Sequence, residues 1–214
     1  MTNNDMNYIQ ALISKNILRG PVLELGGGYG GDTSRELITA AGMEYVATDI
    51  ALSTGVDVSA NFETGEGLQN VQSMGPFKTV LVLNVLEHVF NPIEVLRNVL
   101  KVTDSQGRLV VIAPAIWPVH NYPIDCNRLL PDWYRQFATQ NELFIDESTF
   151  EYLGYGSITS HRDSTGQDHL PVAGELNSFY RFWSRAIHKL FNTFGRGMLH
   201  PSHVCIGVAM SKLP

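Results

Sequence analysis

The chain has 214 residues, of which 44% are hydrophobic, so it is long enough for one domain with a sizeable buried core. Its formal net charge of −6 argues against a generic nucleic-acid-binding protein. Two widely separated cysteines argue against a disulfide framework or a zinc site, and no signal peptide or membrane-spanning apolar run is present. We therefore expect a single cytoplasmic domain over residues 1–214.

Apolar periodicity divides the chain into alternating helices and strands. Apolar residues between 7 and 18 recur at helical spacing, which predicts an amphipathic helix from Asn7 to Leu18 that caps a sheet, within the N-terminal segment 1–19. A strand over Val22–Leu25 runs into a glycine-rich turn, and a helix is predicted over 32–41.

The remaining strands are indicated by short apolar runs, at 45–49, 56–58, 79–83, 108–112, 143–152 and 204–210. A helix over 93–102 separates two of them. Alternation of strands and helices predicts an α/β fold whose parallel sheet is covered on both faces. Ligands of such sheets bind at the carboxyl ends of the strands.

The turn after the first strand is the most informative local feature. Glycines at positions 26, 28 and 30 let the backbone turn sharply and let a ligand approach the main chain closely. Asp49 ends the next strand, about 20 residues downstream, where a nucleoside-binding fold places the acceptor of the ribose hydroxyls. Glu24 lies inside the strand end, and a carboxylate buried there needs a partner, which a cationic amino-acid ligand would help to supply.

The glycine pattern alone leaves the ligand open. Gly26, Gly28 and Gly31 also satisfy the dinucleotide fingerprint G-x-G-x-x-G, which would indicate NAD. A strand-to-helix turn without any ligand is the second alternative.

A second block, Asn84-Val85-Leu86-Glu87-His88-Val89, follows the fourth strand. Together with Glu24-x-Gly26-x-Gly28-x-Gly30, Asp49 and the strand after Gly107, it closely resembles the class I S-adenosylmethionine-dependent methyltransferases, from about residue 21 to residue 137. The resemblance implies a doubly wound, mostly parallel seven-stranded sheet with an antiparallel last strand. It also implies S-adenosylmethionine as the cofactor.

The resemblance assigns cofactor contacts residue by residue. The glycines would pass under the methionine part of the cofactor, and Asp49 would accept hydrogen bonds from the ribose. The family's usual acid at the adenine amino group falls on Asn61, whose amide oxygen can accept the same hydrogen bond. Asn84 and His88 would lie beside the sulfonium, although His88 is equally compatible with a structural role.

The loop after the fifth strand is the predicted chemical centre. It contains Trp117, His120, Tyr122, Asp125 and Arg128, and it resembles a Trp-x-x-His-x-x-Pro-x-Asp-x-x-Arg pattern in a subgroup tied to glycan or secondary-metabolite pathways. Methyl transfer to a hydroxyl requires removal of its proton. His120 is the first candidate for this base and Asp125 the second, with the other three as substrate contacts. The alternative is that Asp125 and Arg128 pair to hold the loop closed.

Residues 154–201 form an insertion between the last two strands. Apolar residues from 179 to 194 recur at helical spacing, and Arg181 lies off that stripe as a further substrate contact. A helix packed on the domain, a substrate lid, a homodimer contact and a membrane-surface helix are all compatible with this pattern.

We expect O-methylation of a small hydroxylated acceptor such as a sugar, a glycan precursor or a secondary metabolite. The alternatives are an NAD-dependent oxidoreductase and a non-catalytic cofactor-binding protein of the same fold. The sequence predicts no metal ligands, no nucleic-acid partner and no integral membrane segment.

Overall fold

The computed structural model describes residues 2–28, 33–117, 119–120, 124–155 and 203–212, together with 182, 183, 186 and 190. Four predictions lie outside these residues: Gly30 at the cofactor, Tyr122 and Arg181 at the substrate, and most of the 154–201 insertion.

Eight strands form one sheet within the described part of the chain: β1 Val22–Leu25, β2 Tyr45–Asp49, β3 Val58–Ser59, β4 Phe77–Leu83, β5 Thr103–Ile116, β6 Leu143–Ile145, β7 Glu151–Tyr155 and β8 His203–Lys212. Their order is β3-β2-β1-β4-β5-β8-β6, and β7 also pairs with β8. The strands β1 to β5 are mutually parallel, whereas β8 runs antiparallel to β5. The mostly parallel sheet with an antiparallel last strand is confirmed, with eight strands described in place of the predicted seven.

Five α-helices are described: α1 Asn3–Ser14, α2 Arg35–Ala40, α3 Leu68–Gln72, α4 Pro92–Val102 and α5 Pro131–Gln140. The sequence did not predict α3 or α5. The first helix begins earlier than predicted because Thr2 and Asp5 form a capping box, in which each side chain accepts the other's backbone N–H. No described helix is long and apolar enough to cross a membrane.

The prediction of one continuous strand over 143–152 is wrong, because this segment forms two strands. A short 3-10 turn over Glu147–Thr149 separates β6 from β7, and both pair with β8. The Asp146 side chain accepts from the Ser148 backbone N–H at 3.1 Å, which stabilises the turn. The Thr149 hydroxyl accepts from Ala209 N at 2.9 Å, so this backbone N–H of β8 keeps a hydrogen-bond acceptor where the strand is interrupted.

The helices bury apolar side chains on both faces of the sheet. On one face, α3, α4 and α5 pack around residues such as Leu96, Phe137 and Val82. On the other face, Ile9 and Leu12 of α1 pack with Ile38 of α2 and with the strands. Because parallel strands end at one edge, the residues after β1, β2, β4 and β5 meet there.

Candidate active site

The turn after β1 exposes its backbone to a possible ligand because it carries no side chains. Gly26 has a φ of 79°, and a Cβ there would lie 2.8 Å from Val85 Cγ2. A Cβ on Gly28 would lie 2.9 Å from Asp49 Oδ2 and 2.8 Å from Val56 Cγ2. Real Cβ atoms essentially never make contacts under 3.0 Å, so a side chain at either position would force these neighbouring side chains to shift.

Asp49 joins the end of β2 to that glycine turn. Its Oδ2 accepts a hydrogen bond from Gly28 N at 3.0 Å, and its Oδ1 accepts from Ile50 N at 2.6 Å. Each carboxylate oxygen retains a further lone pair. The side chains of Ile50 and Leu52 are about 70% exposed beside it, which gives this edge an apolar rim.

Glu24 has its partners within the protein. Its carboxylate is buried, and it accepts hydrogen bonds from the backbone and hydroxyl of Ser34 and from the Tyr45 hydroxyl at 2.9 Å. Burial raises the pKa of the Glu24 carboxyl, and the bonds from Ser34 and Tyr45 oppose that rise. Because Ser34 precedes α2, Glu24 ties the start of this helix to β1.

The oxygen of the Asn61 side chain is occupied by its own loop. It accepts from Glu63 N at 2.9 Å and from Thr64 N at 3.1 Å, which is the geometry of an Asx turn. Both lone pairs of the amide oxygen are therefore used, and a ligand would meet the Nδ2 donor instead.

Asn84 follows β4 in a left-handed conformation, with a φ of 54°. Its Nδ2 donates to Asp5 Oδ2 of α1 at 3.1 Å, and the Cys205 thiol donates to its Oδ1 at 3.8 Å. Burial raises the pKa of that thiol. Asn84 thus links α1, β4 and β8 at the edge of the sheet.

An ion pair between Asp125 and Arg128, here called the clasp, holds the loop after β5 in place. The Asp125 side chain is only 2% exposed and receives both terminal nitrogens of Arg128, one of them at 2.6 Å from Oδ2. It also accepts from His120 N at 2.8 Å. The Arg128 guanidinium donates further to the Trp117 carbonyl at 3.4 Å. These bonds hold the pKa of Asp125 well below its usual range.

Glu87, His88 and His120 come together beside this clasp. Glu87 Oε1 lies 3.7 Å from His88 Nε2, and the two imidazole rings are 5.0 Å apart between centroids. His120 Nδ1 lies 3.4 Å from Asp125 Oδ2. Burial raises the pKa of the Glu87 carboxyl to about 7.

Backbone bonds hold the two segments of this cluster together. The Glu87 carbonyl accepts from Cys126 N at 2.7 Å and from Asn127 N at 3.3 Å, and the Asn127 side chain donates to the carbonyls of Leu86 and Val89. His88 Nδ1 contacts the Ile124 carbonyl at 2.5 Å. The predicted residues His88, His120 and Asp125 are thereby neighbours.

Two residues at this edge were not singled out by the sequence. Glu87 was noted only as part of a family-like motif, and Asp5 belongs to the helix expected to cap the sheet. Asp5 is fully buried because α1 packs over the ends of the strands, and this packing could not be seen in the sequence. The one available signal for Glu87 was its place in Leu86-Glu87-His88-Val89, a carboxylate next to a histidine within an otherwise apolar segment.

A family model described as a methyltransferase domain matches residues 6–152, which is more than half of the chain. No curated protein matches the chain. Among solved structures, a proposed methyltransferase from Bacillus halodurans C-125 is 10% identical with a TM-score of 0.54, covering 96% of this chain and 99% of that one. A proposed sarcosine dimethylglycine methyltransferase from Galdieria sulphuraria is 14% identical with a TM-score of 0.53, covering 97% and 84%.

A SAM-dependent methyltransferase from Archaeoglobus fulgidus is 16% identical with a TM-score of 0.49, covering 95% of this chain and 94% of that one. At such identities the solved structures show the fold alone, and the family model carries the assignment. The glycine turn, Asp49 and the sheet order agree with it. The chain therefore belongs to the class I S-adenosylmethionine-dependent methyltransferases.

Proposed function

We propose that this methyltransferase acts on a hydroxyl oxygen of a small polyhydroxylated molecule, such as a sugar, a glycan precursor or a secondary metabolite. The observation that carries the proposal is the placement of His120 beside the end of β4, with its Nδ1 3.4 Å from Asp125 Oδ2. A hydroxyl is a poor nucleophile until its proton is removed, and an imidazole backed by a carboxylate is suited to that task.

The residues at β1 and β2 fit the cofactor. Exposed backbone at Gly26 admits a ligand, and the free lone pairs of Asp49 can accept from two ribose hydroxyls. S-adenosylmethionine supplies an electrophilic methyl group on a sulfonium. We assign Glu24 to positioning α2, since Ser34 and Tyr45 occupy its carboxylate.

Asn61 and the residues near β4 make smaller contributions to this proposal. Asn61 would meet the adenine with its Nδ2 rather than with its oxygen, because two backbone N–H groups occupy the latter. Asn84 and His88 remain the proposed neighbours of the sulfonium.

Asp125 is the weaker candidate for the base. The double contact with Arg128 stabilises its ionised form, so it has little tendency to take a proton near neutral pH. Its charge instead stabilises the imidazolium that forms when His120 accepts one. The His120 side chain is 37% exposed and can therefore reach an acceptor.

Arg128 is proposed to organise the loop, since its guanidinium is engaged by Asp125 and by the Trp117 carbonyl. Trp117 and Tyr122 remain the proposed contacts of the acceptor, and Arg181 is proposed to meet it from the insertion. The insertion itself is proposed as a cover over the acceptor.

The proposal is tested by methyl release from S-adenosylmethionine against a panel of sugars, glycosides and phenols. With the best acceptor, His120→Ala should lower kcat by about 10²–10⁴, as removal of a general base does. Its affinity for S-adenosylhomocysteine, measured by calorimetry, should be unchanged.

Transfer to amines or carbons with none to oxygen would refute the choice of acceptor atom. Normal turnover of His120→Ala would show that another group takes the proton.

A further inference from the structure

We propose that Glu87, His88 and His120 form a binding site for a divalent transition-metal ion. One ligand atom from each of the three side chains lies within 4.8 Å of the other two. Two imidazoles and one carboxylate are a common ligand set for Zn²⁺, Fe²⁺ and Co²⁺. These metals bind such ligands at about 2.0–2.2 Å, so the three ligand atoms would have to move together by roughly 1 Å through side-chain rotation.

The carboxylate of Glu87 is the first independent sign of a cation. Its side chain is 2% exposed, and no described residue donates a hydrogen bond to Oε2. A buried carboxylate with an empty acceptor is costly unless a charge or a donor meets it. Arg128 places a positive charge near Glu87, but that guanidinium is already engaged by Asp125, and Asp125 and Asp5 both add negative potential at Glu87. A divalent ion between Glu87 and the two histidines would compensate the buried Glu87 carboxylate.

The surroundings of the two imidazoles are the second sign. Histidines that bind a metal through one ring nitrogen usually direct the other nitrogen to a carbonyl or a carboxylate. His88 Nδ1 lies against the Ile124 carbonyl at 2.5 Å, and His88 Nε2 is the atom that faces Glu87 at 3.7 Å. His120 Nδ1 is buried 3.4 Å from Asp125 Oδ2 and has no hydrogen-bond partner among the described residues, so an imidazole nitrogen of His120 is open to a ligand.

A site with three protein ligands keeps at least one position open for an exchangeable oxygen. There the ion would lower the pKa of a bound hydroxyl, whose proton passes to solvent water while the oxygen keeps its electron pair. This consequence rests on the proposed function, but binding of the ion does not. In the metal-loaded protein His120 would be a ligand of the ion and would not act as the general base. The bound ion would then make the hydroxyl nucleophilic in its place.

Binding is measured first, without cofactor or acceptor. Tag-free protein is stripped with a chelator and titrated with Co²⁺, whose visible absorption reports its ligands. We expect one equivalent to bind, and we expect Glu87→Gln, His88→Asn and His120→Asn each to weaken binding at least about 10-fold, the lower bound for changes around metal sites. His161→Asn and Cys126→Ser are matched controls for a histidine outside the proposed ligand set and for the exposed thiol nearby, and they should bind as the parent does.

Circular dichroism of each variant separates loss of a ligand from loss of the fold. The proposal is overturned if folded parent protein binds no Co²⁺ at micromolar concentration, or if binding survives all three ligand substitutions.

Methyl-release assays then separate the two proposals. Transfer to a hydroxyl that is unaffected by chelation and by added Zn²⁺, Fe²⁺ or Co²⁺ would refute the catalytic role of the ion and leave the proposed function standing. Specific Co²⁺ binding without any transfer to hydroxyls would refute the proposed function and leave the metal site standing.

Discussion

The two halves of the carboxyl edge of the sheet are built in different ways. The half at β1 and β2 consists of a bare glycine turn and one carboxylate, Asp49, which is bonded to Gly28 N. The half at β4 and β5 consists of side chains from separate segments, among them Asn84, Glu87 and Asp125. The first is specified by backbone conformation, which neighbouring residues dictate. The second depends on contacts between residues far apart in the chain.

This difference predicts different responses to substitution. Changes at β1 and β2 should affect cofactor binding through steric fit and single hydrogen bonds. Changes at β4 and β5 should also affect folding, since the same side chains hold the loop in place. The following four substitutions test the contrast.

The largest effect is expected from Asp125→Asn. It leaves Arg128, 24% exposed, without its anionic partner, and breaking a largely buried ion pair from one side costs about 3 kcal/mol in the free energy of unfolding. Urea denaturation measures this loss. Asp132→Asn is the control, because Asp132 is 89% exposed at 3.7 Å from Arg135, and such surface pairs contribute at most about 1 kcal/mol. Equal losses in both variants would show that the clasp does not hold the loop.

Asp49→Ala should weaken binding of S-adenosylhomocysteine by about 1.5–3 kcal/mol, the range for a hydrogen bond to a charged group. Isothermal titration calorimetry measures the change. Asp104→Ala is the control, because Asp104 lies near the start of β5, toward the opposite edge of the sheet. Unchanged affinity in Asp49→Ala would remove Asp49 from the cofactor site.

Gly26→Ala and Gly42→Ala form a matched pair. Their φ values are 79° and 77°, so alanine should cost each about 1–2 kcal/mol in stability. Only Gly26 is also crowded, with Val85 Cγ2 2.8 Å from the added Cβ, whereas nothing lies within 4 Å at Gly42. Gly26→Ala should therefore be the less stable variant and should alone lose cofactor affinity, and equal affinities would refute the placement of the cofactor at this turn.

Glu24→Gln should change the pH dependence of stability rather than abolish folding. Because burial raises the pKa of Glu24 in the folded protein, the folded state holds its proton more tightly than the unfolded chain does. This stabilisation is fully present below the ordinary pKa and is lost as pH rises through the folded pKa. Glutamine does not titrate, so the variant should gain stability relative to the parent as pH rises above the ordinary carboxyl pKa of 4.5.

Thermal unfolding of the cofactor-free protein across that range measures the slope, and Glu36→Gln on the exposed side of α2 is the control. Parallel curves for the parent and Glu24→Gln would show that Glu24 titrates alike in both states.

Strand predictions were most accurate where the sequence marks the end of the strand. The bounds of β1 and β2 are as predicted, because β1 ends at the glycine turn and β2 ends at the acid Asp49. The sixth strand was predicted without its break, since the turn at Glu147–Thr149 depends on bonds to β8. The helices α3 and α5 were missed because α3 has only five residues and the residue before α5, Leu130, makes no side-chain capping hydrogen bond.

The sequence by itself determined the family, the fold class and the position of the glycine turn relative to Asp49. These follow from local periodicity and from residue types that only certain backbone conformations accept. The tertiary structure alone decided that Asp125 is a clasp for Arg128, that Glu24 is bonded to Ser34 and Tyr45, and that Glu87 faces two histidines. Those outcomes depend on which groups are buried together, because the charge, partner and basicity of a side chain are set by neighbours from other strands.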